Sequence, residues 1–405
     1  MKTLMCADDM TWEFAEKISH NWLLQFLKLD IKKPIAMFIL QRQRGDGPEF
    51  AILEKGSYNI SLRMKYKNHA VVIRLCQPGA VFFPKEKVAN EVATMRFLTD
   101  QTSIPVPFIL DSGTKKESPL ELSPFIMMEY IEHKTNIYDA LNTPGCPKRE
   151  RRILDLNIDD NKLESLYGQL AGVLLQLSKI SFPRIGSLTQ VDEFTWEVSR
   201  RPLSMNINKL CDDLRPGNVL LHENMQIARV VDWEFTYAAP VEFSHAPPWW
   251  LLIEKPELWP NGMDDWEIVF NHRLKMFLRA MKSREDTEIQ KGHMKENQRL
   301  SSHMQRSWDS GNFWIVYAAL NSFAFDAIYW KKIDPLFFGA AQSPVSSPET
   351  AWKERLGLLG EKEIEEMEEL VVRKLEEKET RILKWDPDEY TVEAIAKAAE
   401  VDRAH

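Results

Sequence analysis

Cysteine is scarce and scattered. The 405 residues hold four, Cys6, Cys76, Cys146 and Cys211, far apart and with no C-x-x-C pair, so neither a zinc site nor a disulfide framework is indicated. Long apolar runs are missing as well. The opening MKTLMCADDMTWEF lacks the uninterrupted apolar segment of a signal peptide and carries acids that a transit peptide avoids. The one stretch that invites a membrane reading, Phe313 to Trp330, is interrupted by Asn321 and Asp326, and charge at mid-span is expensive in lipid. It is expected to be a buried core helix. Positive charge is not in excess: 52 Lys and Arg against 60 Asp and Glu leave −8, which argues against nucleic acid as the main partner. No internal repeat is visible. What remains is a globular composition, 44% hydrophobic and 28% charged. The length allows two or three domains at roughly 100–200 residues each, and a reducing cytoplasm is the simplest home.

The chemistry concentrates between Cys211 and Glu234, CDDLRPGNVLLHENMQIARVVDWE. Asp213 and Asn218 stand in D-x-x-x-x-N spacing across Arg215, Pro216 and Gly217, which do not continue a helix comfortably. Val219 to Leu221 and Ile227 to Val231 are short apolar runs separated by His222, Glu223 and Asn224, the pattern of a β-hairpin. Such a hairpin returns the chain beside its start and ends at Asp232, so Asp213, Asn218 and Asp232 can converge on one cation and one phosphate. Asn and Asp offer hard oxygen donors suited to Mg²⁺ that keeps some waters and bridges nucleotide phosphates. Asp232 is read as the main metal ligand, Asn218 as the second, and Asp213 as the group that orients an acceptor hydroxyl.

DLRPGNVLL followed by VVDWEF resembles the catalytic and metal-binding segments of aminoglycoside phosphotransferase-like kinases, particularly their large fungal branch, whose fold is similar to that of protein kinases. The family pattern H-x-D-L-x-x-x-N has Cys211 in place of its histidine here, and a thiol is a weak donor. The resemblance implies a two-lobed α+β fold and transfer of the γ-phosphoryl of ATP, with Mg²⁺, to a hydroxyl of a small molecule. It spans roughly Phe50 to Trp330. Neither a D-F-G sequence nor an A-P-E segment follows Asp232, which makes a protein substrate the poorer expectation.

Further roles follow from the resemblance. Gly56 and Ser57, in the turn between Ile52 to Lys55 and the alternating Ile60, Leu62 and Met64, fall in the loop over the nucleotide phosphates. Arg74, on the strand HAVVIRLC, takes the place of the cation that holds the α- and β-phosphates, with a fork that can bind phosphate bidentately. Glu91, in the helical stretch Pro84 to Leu98, is its candidate partner, and Glu86 offers the same chemistry. The run Phe125 to Ile131 reads as a buried edge strand and hinge, with Glu129, Tyr130 and Ile131 meeting adenine through backbone groups.

Elsewhere the chain reads as helical. Trp12, Phe14, Ile18, Trp22, Leu23, Phe26 and Leu27 mark an amphipathic helix from Thr11 to Leu29, ending before Lys33 and Pro34. Leu163 to Leu177 suits a central helix of the larger lobe. From Leu188 only a short connection remains before Cys211, where the family has a long helical segment. Two explanations compete: a compact variant, or coding sequence lost between Leu210 and Cys211, the second being preferred. Trp249, Trp250 and Trp259 either pack the lobe, the preferred reading, or attract an amine-bearing acceptor together with Glu242 or Glu254. Trp266 to Met281 and Glu296 to Trp308 read as helices, and Trp352 to Trp385 as a charged helical stretch with Ile364, Met367, Leu370, Val371 and Leu375 on one packing face. The expected division is a helical extension over 1–49, a nucleotide-binding lobe over 50–131, a catalytic lobe over 132–343 and a charged helical extension over 344–405. Aminoglycosides, choline-like amines and sugars are all open as acceptors, and the oligomeric state is not legible. The rival expectation is a kinase-like protein that binds nucleotide, transfers nothing and acts by interaction.

Overall fold

The computed structural model describes residues 9–42, 49–66, 69–81, 83–146, 151–203, 215–321, 324–339 and 351–380. Two helices come first, α1 (Asp9–Phe26) and α2 (Leu29–Arg42). The helix expected over Thr11 to Leu29 is α1 and ends at Phe26, well before Pro34, but the break expected around Lys33 and Pro34 is corrected, since Pro34 lies inside a second helix, α2. Proline there removes one hydrogen bond and crowds the preceding turn. Burial outweighs that loss: Ile35 and Ile39, with Phe26, are fully buried against a sheet, and a buried side chain of this kind contributes ~1.5–3 kcal/mol.

That sheet comprises β1 (Glu49–Lys55), β2 (Asn59–Lys65), β3 (Ala70–Cys76), β4 (Ile109–Gly113) and β5 (Phe125–Glu129), with α3 (Pro84–Gln101) between β3 and β4. It is antiparallel in the order β1-β2-β3-β5-β4. β5 is therefore a central strand and not the expected edge; β4, from the stretch just before it, closes the sheet. Side-chain alternation sorts the two faces. Val71, Ile73 and Leu75 of β3 join Ile60, Leu62 and Met64 beneath α2, whereas Val72 and Cys76 join the core that includes Val88, Val92 and Met95 of α3. Arg74 shares parity with Val72 and Cys76, so it is delivered to the α3 side.

The second lobe begins with β6 (Thr135–Asn136), α4 (Ile137–Leu141) and α5 (Asp160–Ser178). The Asp159 carboxylate caps α5 by accepting the Lys162 N–H at 2.8 Å. Next come two hairpins, β7 (Ser187–Gln190) with β8 (Trp196–Arg200), and β9 (Val219–Leu221) with β10 (Ile227–Val230). The first of these occupies the connection before Cys211; Leu210, Cys211 and Asp213 lie outside the described residues. Gly186, at the start of that hairpin, exchanges backbone hydrogen bonds of 3.0 and 2.8 Å with Ala238. A Cβ on Gly186 would lie 2.5 Å from the Arg200 carbonyl, so only glycine permits this approach.

α6 (Val241–His245), α7 (Met263–Gln290), α8 (Leu300–Asp309) and α9 (Asn312–Leu320) complete the lobe's frame. Tyr167 of α5 donates to the Leu251 carbonyl at 2.7 Å and meets Phe277 of α7 edge-on at 5.7 Å. The single helix expected over Phe313 to Trp330 is interrupted: α9 stops at Leu320, and α10 (Phe325–Ile328) leads into a π-helical turn over Tyr329–Ile333 and α11 (Asp334–Phe338). Asn321 ends α9 by turning its amide back onto the Tyr317 carbonyl at 2.9 Å, while Lys255 donates to its side-chain oxygen at 2.8 Å. α12 (Ala351–Arg355) and α13 (Glu361–Thr380) end the described chain. The packing face expected on α13 is incomplete there: Ile364 and Met367 are half-buried, but Leu370, Val371 and Leu375 are exposed. Among the described residues no helix is long and apolar enough to cross a membrane.

Candidate functional site

An ionic cluster centred on Arg74 joins the two lobes. Arg74 extends from β3 to form an ion pair with Glu91 of α3, and its other guanidinium nitrogen donates to the Asp232 carboxylate at 2.9 Å. Glu86, the other candidate, is instead held by Arg201 at 3.1 and 3.2 Å. One arginine fork thus joins the small lobe's helix to the carboxylate that ends β10. A fork can hold two acceptors in fixed directions, which a lysine ammonium does less well.

Asp232 is positioned by its neighbours. The Val230 N–H donates to the Pro105 carbonyl at 2.8 Å, tying β10 to the segment that precedes β4, and the Val231 N–H donates to the Asn218 carbonyl at 2.8 Å. Gln169 of α5 supports the far end of the same hairpin: its amide donates to the Met225 carbonyl at 3.0 Å and its oxygen accepts the Ile227 N–H at 2.8 Å. Asp232 itself has φ 66° and Phe235 φ 63°, a left-handed conformation tolerated by Asp and rare for Phe. Each residue from Asp232 to Phe235 has a fixed partner. Trp233 donates its indole N–H to the Val230 carbonyl at 3.0 Å, and Phe235 meets Tyr58 edge-on at 5.1 Å.

Glu234 anchors the cluster's other half, which sequence reasoning missed. Its carboxylate lies 2.5 Å from Lys87 Nζ and accepts from the Asn59 amide at 2.7 Å, while Lys87 also donates to the Asn59 oxygen at 3.0 Å. Lys87 stands one turn before Glu91 on α3, with its ammonium 3.8 Å from that carboxylate, and its side chain is wholly buried. A buried ammonium is tolerated only when paired and hydrogen-bonded. The available sequence signals were a second acid in DWEF and a lysine four residues before Glu91 on one helical face. Burial pushes the Cys76 thiol up, with Lys87 pulling in the opposite direction.

Other expected site residues are placed less informatively. Gly56 and Ser57 lie exposed in the β1–β2 turn, where the Gly56 N–H donates to the Asn59 carbonyl at 2.9 Å. A Cβ on Gly56 would make ordinary contact with that oxygen at 3.5 Å, so the turn does not demand glycine. At the end of β5, the Glu129 carboxylate accepts the Phe108 N–H at 3.1 Å and faces Arg229 at 3.5 Å. The Ile131 carbonyl lies 2.8 Å from His133 Nδ1. Asn218 is half-buried at the start of β9; Asp213, expected beside it, falls outside the described residues. Among the described residues no group of three His, Cys, Asp or Glu is gathered for a metal. The expected ligands Asp232 and Asn218 lie on segments brought together by the hydrogen bond from the Val231 N–H to the Asn218 carbonyl, and oxygen donors of their type suit Mg²⁺ that retains water. Of the tryptophans weighed as amine attractors, Trp250 and Trp259 are buried in the core, and Lys255 lies 5.5 Å over the Trp249 ring.

No family model matches the chain. Two subtelomeric hrmA-associated cluster proteins from strains of Aspergillus fumigatus are 28% identical over 153 residues, 37% of this chain. That match spans only 26% of the length of either protein. Among solved structures, aminoglycoside phosphotransferase APH(4)-Ia is 13% identical with a TM-score of 0.37, covering 73% of this chain and 97% of its own. Macrolide 2'-phosphotransferase type I is 12% identical with a TM-score of 0.40, covering 76% and 98%.

Proposed function

We propose that the protein transfers the γ-phosphoryl group of ATP to a hydroxyl of a small molecule, in the manner of aminoglycoside phosphotransferase-like kinases. The observation that carries this reading is Arg74 meeting Glu91 and Asp232 at once. A phosphate-holding cation is useful only when fixed relative to the metal ligand, and this fork supplies that relationship. Arg74 would bind phosphate oxygens, with Glu91 holding its guanidinium in place. Asp232 and Asn218 would hold Mg²⁺, which would supply positive charge to offset that of the phosphates. Asp213 would orient the acceptor hydroxyl. Gly56 and Ser57 would cover the phosphates, and the backbone of Glu129 and Ile131 would meet adenine.

The rival, a nucleotide-binding protein without transfer, draws on Cys211 and on how few residues separate the β7–β8 hairpin from Arg215. ADP release across a panel of hydroxyl compounds separates the two. The transfer reading expects ADP formed with a phosphorylated acceptor that is seen by mass spectrometry. Binding of Mg–ATP with no acceptor-dependent ADP would favour the silent protein.

A further inference from the structure

The β7–β8 hairpin belongs to the second lobe but lies along α3 of the first. Its root is fixed beside the segment that carries Asp232: Gly186 bridges to Ala238, and Leu188 and Val198 are buried in the core that also holds Trp233 and Phe235. From there it meets α3 near both ends and in the middle. Arg201, just after β8, donates to both Glu86 oxygens at 3.1 and 3.2 Å, with its guanidinium 3.9 Å over the ring of Phe83, the residue that precedes α3. Arg200 donates to the side-chain oxygen of buried Asn90 at 3.2 Å. Arg96 reaches Gln190 of β7 at 3.1 Å, and Phe97 meets Trp196 of β8 edge-on at 5.6 Å.

We infer that this hairpin clamps α3 and that Arg201 is a positioning residue, which through Glu86 holds the helix where Glu91 meets Arg74; the inference rests on the phosphotransfer reading above. Helix geometry supplies the coupling. Glu86 and Asn90 stand one turn apart in one row of α3, and Lys87 and Glu91 form the adjacent row, about 100° around the axis. The first row faces the hairpin, and the second faces Arg74, Glu234 and Asn59. Both rows share one rigid turn of helix, so a rotation or slide of α3 moves them together. Releasing Glu86 lets Glu91 shift against Arg74, and the arginine then loses the partner that fixes its fork.

Position, more than stability, is what this contact contributes. The Arg201 and Glu86 side chains are 20% and 34% exposed, and a pair so open to water adds little to folding by itself. A bidentate fork adds direction, because two parallel N–H groups fix the carboxylate in both angle and distance. Phe83 supports the guanidinium from one side, at the very start of the helix that the fork holds. The hairpin thereby ties α3 to the same part of the second lobe that carries Asp232.

The test compares the full chain as wild type, Arg201→Glu, Glu86→Arg and both changes together. One reversal sets like charges against each other, and the double reversal restores the pair. Calorimetric titration with Mg–ATP is expected to show roughly fivefold weaker binding in each single variant and recovery to within about twofold in the double. Urea unfolding midpoints should move little, which separates positioning from loss of fold. Arg201→Gln, which removes the fork without opposing like charges, is the milder variant if a reversal unfolds the chain. A double variant as weak as the singles would overturn the inference, as expected of an arginine that touches nucleotide itself. Hydrogen exchange reads the clamp without nucleotide: α3 amides should exchange faster in the single variants and return to the wild-type rate in the double. Unchanged α3 exchange in both singles would overturn the clamp. A folded wild type that binds no Mg–ATP sinks the phosphotransfer reading instead, and the exchange result then decides the clamp alone.

Discussion

Arg74 on β3 and Asp232 after β10 are joined at 2.9 Å across the lobes, and the same guanidinium ion-pairs with Glu91. In the proposed roles, with phosphate on Arg74 and metal on Asp232, one side chain couples the two positions, and its shape matters. Arg74→Lys keeps the charge but loses the fork, so nucleotide affinity is expected to fall roughly tenfold while the fold persists. Calorimetric titration with Mg–ATP checks this, and affinity equal to wild type would show that charge alone suffices.

The Lys87–Glu234–Asn59 cluster makes a prediction about stability. Removing one partner of a buried charged pair costs about 3–5 kcal/mol, whereas removing both with apolar residues can be nearly neutral. Lys87→Met is thus expected to be far more destabilising than Lys87→Met combined with Glu234→Leu, in urea unfolding followed by circular dichroism. Additive losses in the double variant would mean that the two residues do not act as a pair.

Gly186 should resist substitution. Its missing Cβ leaves room for the Arg200 carbonyl, 2.5 Å from where that atom would lie. Gly186→Ala is expected to destabilise by roughly 2 kcal/mol through strain at the β7–β8 hairpin and at its bridge to Ala238. A midpoint for urea unfolding equal to wild type would show that the hairpin yields instead.

A pH effect is expected from His245 of α6 and His303 of α8, whose rings stack with centroids 4.1 Å apart. Burial lowers both pKa values. For His245 the neighbouring His303 and Arg306 act the same way and Glu242 opposes; for His303 Arg306 adds to the lowering and Glu285 opposes. A base with a depressed folded pKa binds fewer protons folded than unfolded, so its contribution is present above the unfolded value near 6.5 and is lost as pH falls through the folded value. The melting temperature should therefore drop between about pH 7 and pH 5, and the drop should be smaller in His245→Gln/His303→Gln. An unchanged slope in that variant would assign the pH dependence to other groups.

Local pattern made much of this legible in the sequence. Alternation at Ile60, Leu62 and Met64 marked a strand with one buried face, and the spacing of Val219 to Leu221 and Ile227 to Val231 marked the hairpin that ends at Asp232. What escaped depends on partners distant in sequence. Pro34 reads as a helix end until Ile35 and Ile39 find the sheet. β5 reads as an edge until β4 pairs with it, and Asn321 breaks a helix because Lys255, 66 residues away, supplies a donor. Lys87 resembles any surface lysine on a helix until Glu234 and Asn59 close around it.

The most direct measurement is calorimetric ATP binding with and without Mg²⁺, on wild type and on Asp232→Ala. The account predicts Mg²⁺-dependent binding by wild type and loss of that dependence in the variant, with circular dichroism unchanged. Equal Mg²⁺ dependence in both would remove Asp232 from the metal site, and a folded wild type that binds no ATP would contradict the phosphotransfer reading itself.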